Sequence, residues 1–298
     1  MKNNIYEKSL IASATITNKP ENQDCNGEFE DNDFKALFIA DGLGTYKYAK
    51  LSSERIVDFF VNEAKIFQGN VESIKITEVY KQAKQKLIAF ANEVITEDEK
   101  QEDNLFGTTL ISVLETDDKI KISYTGNGAI WHIRGNFNEF PSSYLFPWSA
   151  VNILNPHTIP ENGKEALYRL ISNNNDYSEC IPSIIELEKD TEYGEIIMIC
   201  TDGIYSGDQI KAGKNDKGTW VKYEPSMLKF FEYISRFFKN NQLYNKESIE
   251  HILNQYLDEI KPMLDDDATI GILITKKTLN YQNEINCQKN ENDSGNEI

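Results

Sequence analysis

At 298 residues the chain has room for one large domain or two small ones, with a sizeable core in either case. An apolar content of 40%, a mean hydropathy of -0.52 and the lack of any apolar run near the ~20 residues of a bilayer span set a membrane protein aside. A net charge of -17 disfavours non-specific binding to nucleic acid and docking on an anionic membrane.

The N-terminus does not read as a secretory leader, because Glu7, Lys8 and Thr15 interrupt its apolar residues. Strand-like runs follow at 10–17 and 34–40, and helical periodicity marks 51–67 and 71–95. Three more strand-like runs, 108–114, 120–124 and 129–134, are joined by short polar turns and predict an antiparallel meander. Segment 135–182 is rich in Pro and Asn. It is expected to be irregular apart from a short helix near 163–171, the kind of stretch that serves as a lid or binding loop. Strands at 184–187 and 196–201 precede a polar loop at 207–220, a second candidate binding loop. Helices are predicted at 225–238, with Pro225 in the first turn, and at 246–260, and a last strand at 269–274. This order is α+β rather than a βαβ repeat. Residues 276–298 are dominated by Asn, Glu, Lys and Gln and predict a disordered tail, leaving 1–275 as one domain.

Cys25, Cys180, Cys200 and Cys287 have no metal-finger or Cys-x-x-Cys spacing and read as reduced thiols of a cytoplasmic protein. His132, His157 and His251 are scattered and are expected to play no ligand or base role.

Chemistry is concentrated in three acidic signatures: Asp41 in FIADGLG, Asp202 in IIMICTDG and Asp266 in DDDATIGILI. Each aspartate stands at the end or the start of a strand-like run. If those strands are neighbours, three carboxylates converge at a sheet edge and resist ionising unless a cation lies between them. Oxygen ligands suit a hard divalent ion, Mg²⁺ or Mn²⁺. Asp24 in ENQDC is a fourth acidic candidate.

Six motifs stand in a recognisable order: NQD at 22–24, ADGLG at 40–44, GTTL at 107–110, TGNGAIWHIRG at 125–135, CTDGI at 200–204 and DDATI at 266–270. In that order the sequence resembles the metal-dependent protein phosphatases of type 2C (PPM), of bacterial type. The resemblance implies a four-layer α-β-β-α sandwich, two central antiparallel sheets flanked by helices, with a two-metal site at one end. By the same resemblance Asp41 bridges both ions and is catalytic, Asp202 and Asp266 bind the first, the Gly42 carbonyl binds the second, and Asp24 acts through bound water. The implied reaction is hydrolysis of phosphoserine or phosphothreonine by a hydroxide activated between the two ions. A phosphoprotein and a cognate Ser/Thr kinase are the implied partners.

Two positions depart from the family pattern. Lys19 stands where the family places an arginine that grips the substrate phosphate, keeping the charge but losing the bidentate fork. Asn127 replaces an aspartate associated with a third metal, which leaves that site without its charged ligand and puts it in question. These two positions favour an alternative, a pseudophosphatase that binds without turnover; the intact Asp41, Asp202 and Asp266 oppose it. Hydrolysis of a small phosphorylated metabolite is a third reading.

Overall fold

The computed structural model describes residues 5–31, 34–67, 75–102, 104–135, 149–161, 164–206, 211–214, 218, 220–223, 225–240 and 243–295. In chain order the strands are β1 (Leu10–Ile16), β2 (Asp24–Glu30), β3 (Lys35–Asp41), β4 (Gly107–Thr108), β5 (Leu110–Glu115), β6 (Lys119–Thr125), β7 (Ala129–Arg134) and β8 (Ser149–Asn152). They continue as β9 (Thr158–Glu161), β10 (Lys164–Leu167), β11 (Ile171–Ser172), β12 (Ser183–Glu188), β13 (Ile196–Cys200), β14 (Lys211–Lys214), β15 (Trp220–Tyr223) and β16 (Ala268–Ile274). The helices are α1 (Ala49–Phe67), α2 (Ile76–Val94), α3 (Gly203–Ser206), α4 (Pro225–Asn240), α5 (Lys246–Ile260) and α6 (Lys276–Gly295).

Two large antiparallel sheets, β1-β16-β13-β7-β8 and β12-β6-β5-β3-β2, form the centre. The period-2 alternation of their strands sends apolar side chains both ways. Leu37, Ile39, Ile197, Ile199 and Leu273 meet between the sheets. Phe38 and Leu114 pack outward against Phe60 and Tyr80 of α1 and α2. Met198, Ile270 and Ile272 pack outward against Phe230 and Leu253 of α4 and α5. Each such buried side chain contributes roughly 1.5–3 kcal/mol. The four layers expected from the resemblance are the layers observed. Among the described residues no helix is long and apolar enough to cross a membrane, and none of the four cysteines forms a disulfide.

Four expectations are corrected. The run at 129–134 does not complete a meander. β5 and β6 pair in one sheet, while β7 joins β13 and β8 in the other. The corner between them holds Gly126 and Gly128 at φ 100° and 123°, backbone that side chains rarely adopt and that lets the chain change sheets. Among the described residues of 163–171 no helix forms: β9 and β10 pair antiparallel and β11 pairs with β4. The polar loop at 207–220 contains β14, which pairs with β15, and its other residues, save 218 and 220, lie outside the described ones. Finally, 276–295 is helical rather than disordered, because a few residues anchor it. Leu279 and Gln282 are fully buried, Asn280 exchanges hydrogen bonds with the backbone of Tyr6, and Asn286 donates to the Phe238 carbonyl at 2.8 Å.

At the end of the sandwich where β13 begins, Glu195 is buried with its Oε2 unpartnered, while Oε1 accepts the Asp190 N–H. Burial pushes its carboxyl up to about 7. A raised carboxyl pKa gives stability that is full below the unfolded value near 4.3 and lost as pH rises through 7. Glu195→Gln is therefore expected to raise Tm by a few degrees at pH 8 and to leave it nearly unchanged at pH 4. Melting curves at the two pH values check this.

Candidate active site

The site is built where strands of both sheets end together. In β3 the residues facing the other sheet are Leu37 and Ile39, so alternation brings Asp41 out on that face at the strand's last position. β2 pairs with β3 so that Asp24 stands directly opposite Asp41. In the other sheet β13 delivers Asp202 just past Cys200, and β16 begins two residues after Asp266. Gly203 lets these two segments touch, since a Cβ there would lie 1.8 Å from the Asp267 carbonyl oxygen. Gly42 donates its N–H to the Gln23 carbonyl at 3.2 Å and forms an isolated bridge with Thr108.

The carboxylates interact. Asp24 is buried, faces Asp41 across the strand pair and accepts a hydrogen bond from the Thr201 hydroxyl at 2.7 Å on Oδ2. Its Oδ1 is buried without any partner. Burial first, and then the charges of Asp24, Asp202 and Asp266, hold the Asp41 carboxyl well above the usual range. Burial likewise raises Asp24 and Asp202. Asp202 Oδ2 accepts from Asn127 Nδ2 at 2.6 Å, and Asp266 Oδ1 accepts from Lys19 Nζ.

Within the triple Asp265-Asp266-Asp267, the charge of Asp266 reaches Asp41 and Asp202 and that of Asp267 reaches Asp24. Asp267 is buried and serves the backbone, accepting from the Gln23 N–H at 2.8 Å and from the Thr17 hydroxyl. Every candidate named from sequence lies at this end of the fold. Among the described residues, however, no three acidic, His or Cys side chains stand close enough to grip one ion as placed. Asp202 is taken by Asn127 and Asp266 by Lys19.

The donor set nevertheless suits a hard cation. It is all oxygen, it sets buried Asp24 against half-buried Asp41, and Asp24 Oδ1 has no hydrogen-bond partner. A buried like-charge pair needs either a proton or a cation.

Sequence reasoning missed two residues here. Thr201 ties the sheets together, donating to Asp24 and accepting the Thr269 N–H at 2.9 Å; its place directly before Asp202 was the available signal. His157 does have a partner. Its Nδ1 accepts the Gly126 N–H at 3.2 Å, its backbone N–H donates to the Gly126 carbonyl at 2.9 Å, and Nε2 then donates to Ser183 Oγ at 2.8 Å. The ring stacks on Tyr124 with centroids 5.0 Å apart. His157 therefore holds the corner that presents Asn127.

Burial, then the charge of Arg169, pushes the His157 imidazole down to about 4. A depressed histidine gives stability that is present above the unfolded value near 6.5 and lost as pH falls toward 4. Between pH 7.5 and 4.5 the protein is expected to lose on the order of 1–3 kcal/mol through this group. His157→Gln should lack that loss. Urea titrations at the two pH values measure it.

The sequence matches the family model of protein phosphatase 2C over residues 13–258. No protein of curated function matches the chain. Among solved structures it is similar to the S. agalactiae serine/threonine phosphatase, with 13% identity, coverage of 89% of this chain and 100% of that one, and a TM-score of 0.59. It is also similar to serine/threonine phosphatase Stp1 from Staphylococcus aureus, with 14% identity, coverage of 92% and 98%, and a TM-score of 0.58. A third is the catalytic domain of the serine threonine protein phosphatase PstP in complex with 2 manganese ions, at 13% identity, coverage of 90% and 98%, and a TM-score of 0.55. At these identities the likeness establishes the fold.

Proposed function

The chain belongs to the protein phosphatase 2C family, and from that premise we propose that it is a metal-dependent protein serine/threonine phosphatase acting at the acidic end of its sandwich. The observation that carries this reading is Asp24 standing directly opposite Asp41 across β2 and β3, buried and with its Oδ1 unpartnered. Asp24, Asp41, Asp202, Asp266 and the Gly42 carbonyl would hold two divalent ions, Mg²⁺ or Mn²⁺. When bound, such ions neutralise the carboxylates, offset charge on phosphate oxygens and make a nucleophile of water at neutral pH.

The chain's own residues would do the rest. Asp41, reached by the charges of all three other carboxylates, would serve both ions. Thr201 holds Asp24 by a hydrogen bond, and Asn127 holds Asp202. Lys19 is the cation beside this cluster and would meet the phosphate as a point charge. The reading carries a phosphoprotein substrate, a kinase that phosphorylates it and a cytoplasmic setting.

Substrate class is tested by comparing kcat/KM for a phosphothreonine peptide and for small phosphate esters with Mn²⁺ present. Preference for the peptide supports the proposal, and preference for an ester points to a metabolite phosphatase. The contacts of Lys19 and Asn127 with two of the acids favour a second reading, a module that binds phosphoproteins without turnover. Phosphopeptide binding with no phosphate release at any metal concentration would select it.

A further inference from the structure

We propose that Lys19 is the resting site's own counter-ion, which an incoming divalent ion displaces from Asp266 and which is thereby freed to grip the substrate phosphate. The inference rests on the phosphatase reading above and concerns how that site is loaded.

The geometry carries it. Lys19 Nζ donates to Asp266 Oδ1 and lies 3.9 Å from Asp267 Oδ2. The Lys19 backbone is fixed as well. Its N–H donates to Thr17 Oγ1 at 2.9 Å, and the Thr17 hydroxyl donates to buried Asp267. This is a lysine aimed by its own loop at a carboxylate, not a side chain roaming the surface.

One oxygen is contested. Asp266 Oδ1 already accepts the Asp267 N–H at 2.7 Å together with the Lys19 ammonium. The ammonium on Oδ1 neutralises and shields the same carboxylate that would bind the ion and repels an approaching divalent cation, so metal binding favours the state in which Lys19 has swung away. The Asn127 amide beside Asp202 orients that carboxylate but brings no charge, so it cannot replace the ammonium. Metal and phosphate then assist each other, since each favours the state in which Lys19 has left Asp266.

Two readouts other than activity test this. Calorimetric titration of metal-free protein with Mn²⁺ is expected to give at least about tenfold tighter binding for Lys19→Met and Lys19→Gln than for the wild type. Lys50→Met controls for net charge, since Lys50 lies 3.7 Å from Glu21 in an exposed pair, and is expected to change the affinity by no more than about twofold. Reductive methylation followed by mass spectrometry reads the ammonium itself. Lys19 should label slowly in the metal-free protein, faster with Mn²⁺, and slowly again when inorganic phosphate is added.

Equal or weaker Mn²⁺ binding by the Lys19 variants overturns the inference, as does labelling indifferent to Mn²⁺. In that case wild-type Mn²⁺ binding leaves the phosphatase reading standing. Absence of Mn²⁺ binding by wild type and variants alike removes both.

Discussion

Replacing Asp41 by Asn is expected to lower metal-dependent phosphatase activity by at least ~10³-fold while raising the Tm of the metal-free protein. The two effects share one cause. Asp41 faces Asp24 across β2 and β3 and feels Asp202 and Asp266 as well. Its folded pKa is raised, so the stability it contributes is full below the unfolded value near 3.9 and is lost as pH rises. At pH 7.5 the metal-free wild type carries this cost and the Asn variant does not. A gain of a few degrees is expected at pH 7.5, vanishing near pH 4. Mn²⁺ should raise the wild-type Tm by mass action and move the variant far less. A variant that loses both Tm and activity would mark Asp41 as a structural residue.

Asp267→Ala is expected to have the largest effect on folding, about 2–4 kcal/mol. Asp267 is 3% exposed, and both of its carboxylate oxygens are engaged. Oδ2 accepts the Gln23 N–H and Oδ1 the Thr17 hydroxyl. Alanine leaves both donors without their acceptor and frees the loop that aims Lys19. Asn keeps one carbonyl oxygen and an amide that can donate to Thr17, so Asp267→Asn should retain most of the stability. Denaturant titration of the two variants separates these outcomes, and equal stability of Asp267→Ala and wild type would refute the assignment.

What could be read in advance follows from range. Strands of the inner sheets and helices such as α5 carry dense apolar periodicity, a local signal. β2 does not: DCNGEFE is polar and half-buried, and its place comes from pairing with β3. The jump of β7 to the second sheet escaped detection because alternation reports a buried face and not which sheet owns it. α6 is held by scattered anchors at Leu279, Gln282 and Asn286, too sparse to register against its polar composition. Asp41, Asp202 and Asp266 were legible because each sits near a strand end beside glycine or a second acid. Their engagement was not. The link between Lys19 and Asp266 joins loops at opposite ends of the chain, and that between His157 and Gly126 depends on a turn inside the Pro- and Asn-rich segment.

Whether the acidic end of the sandwich is a metal-dependent phosphatase is decided by release of phosphate from a phosphothreonine peptide. The purified protein is assayed with Mn²⁺, with EDTA, and as Asp202→Asn. The expected result is release that requires Mn²⁺, stops with EDTA and falls at least ~10²-fold in Asp202→Asn. No release with Mn²⁺, or release indifferent to both EDTA and the substitution, would contradict it.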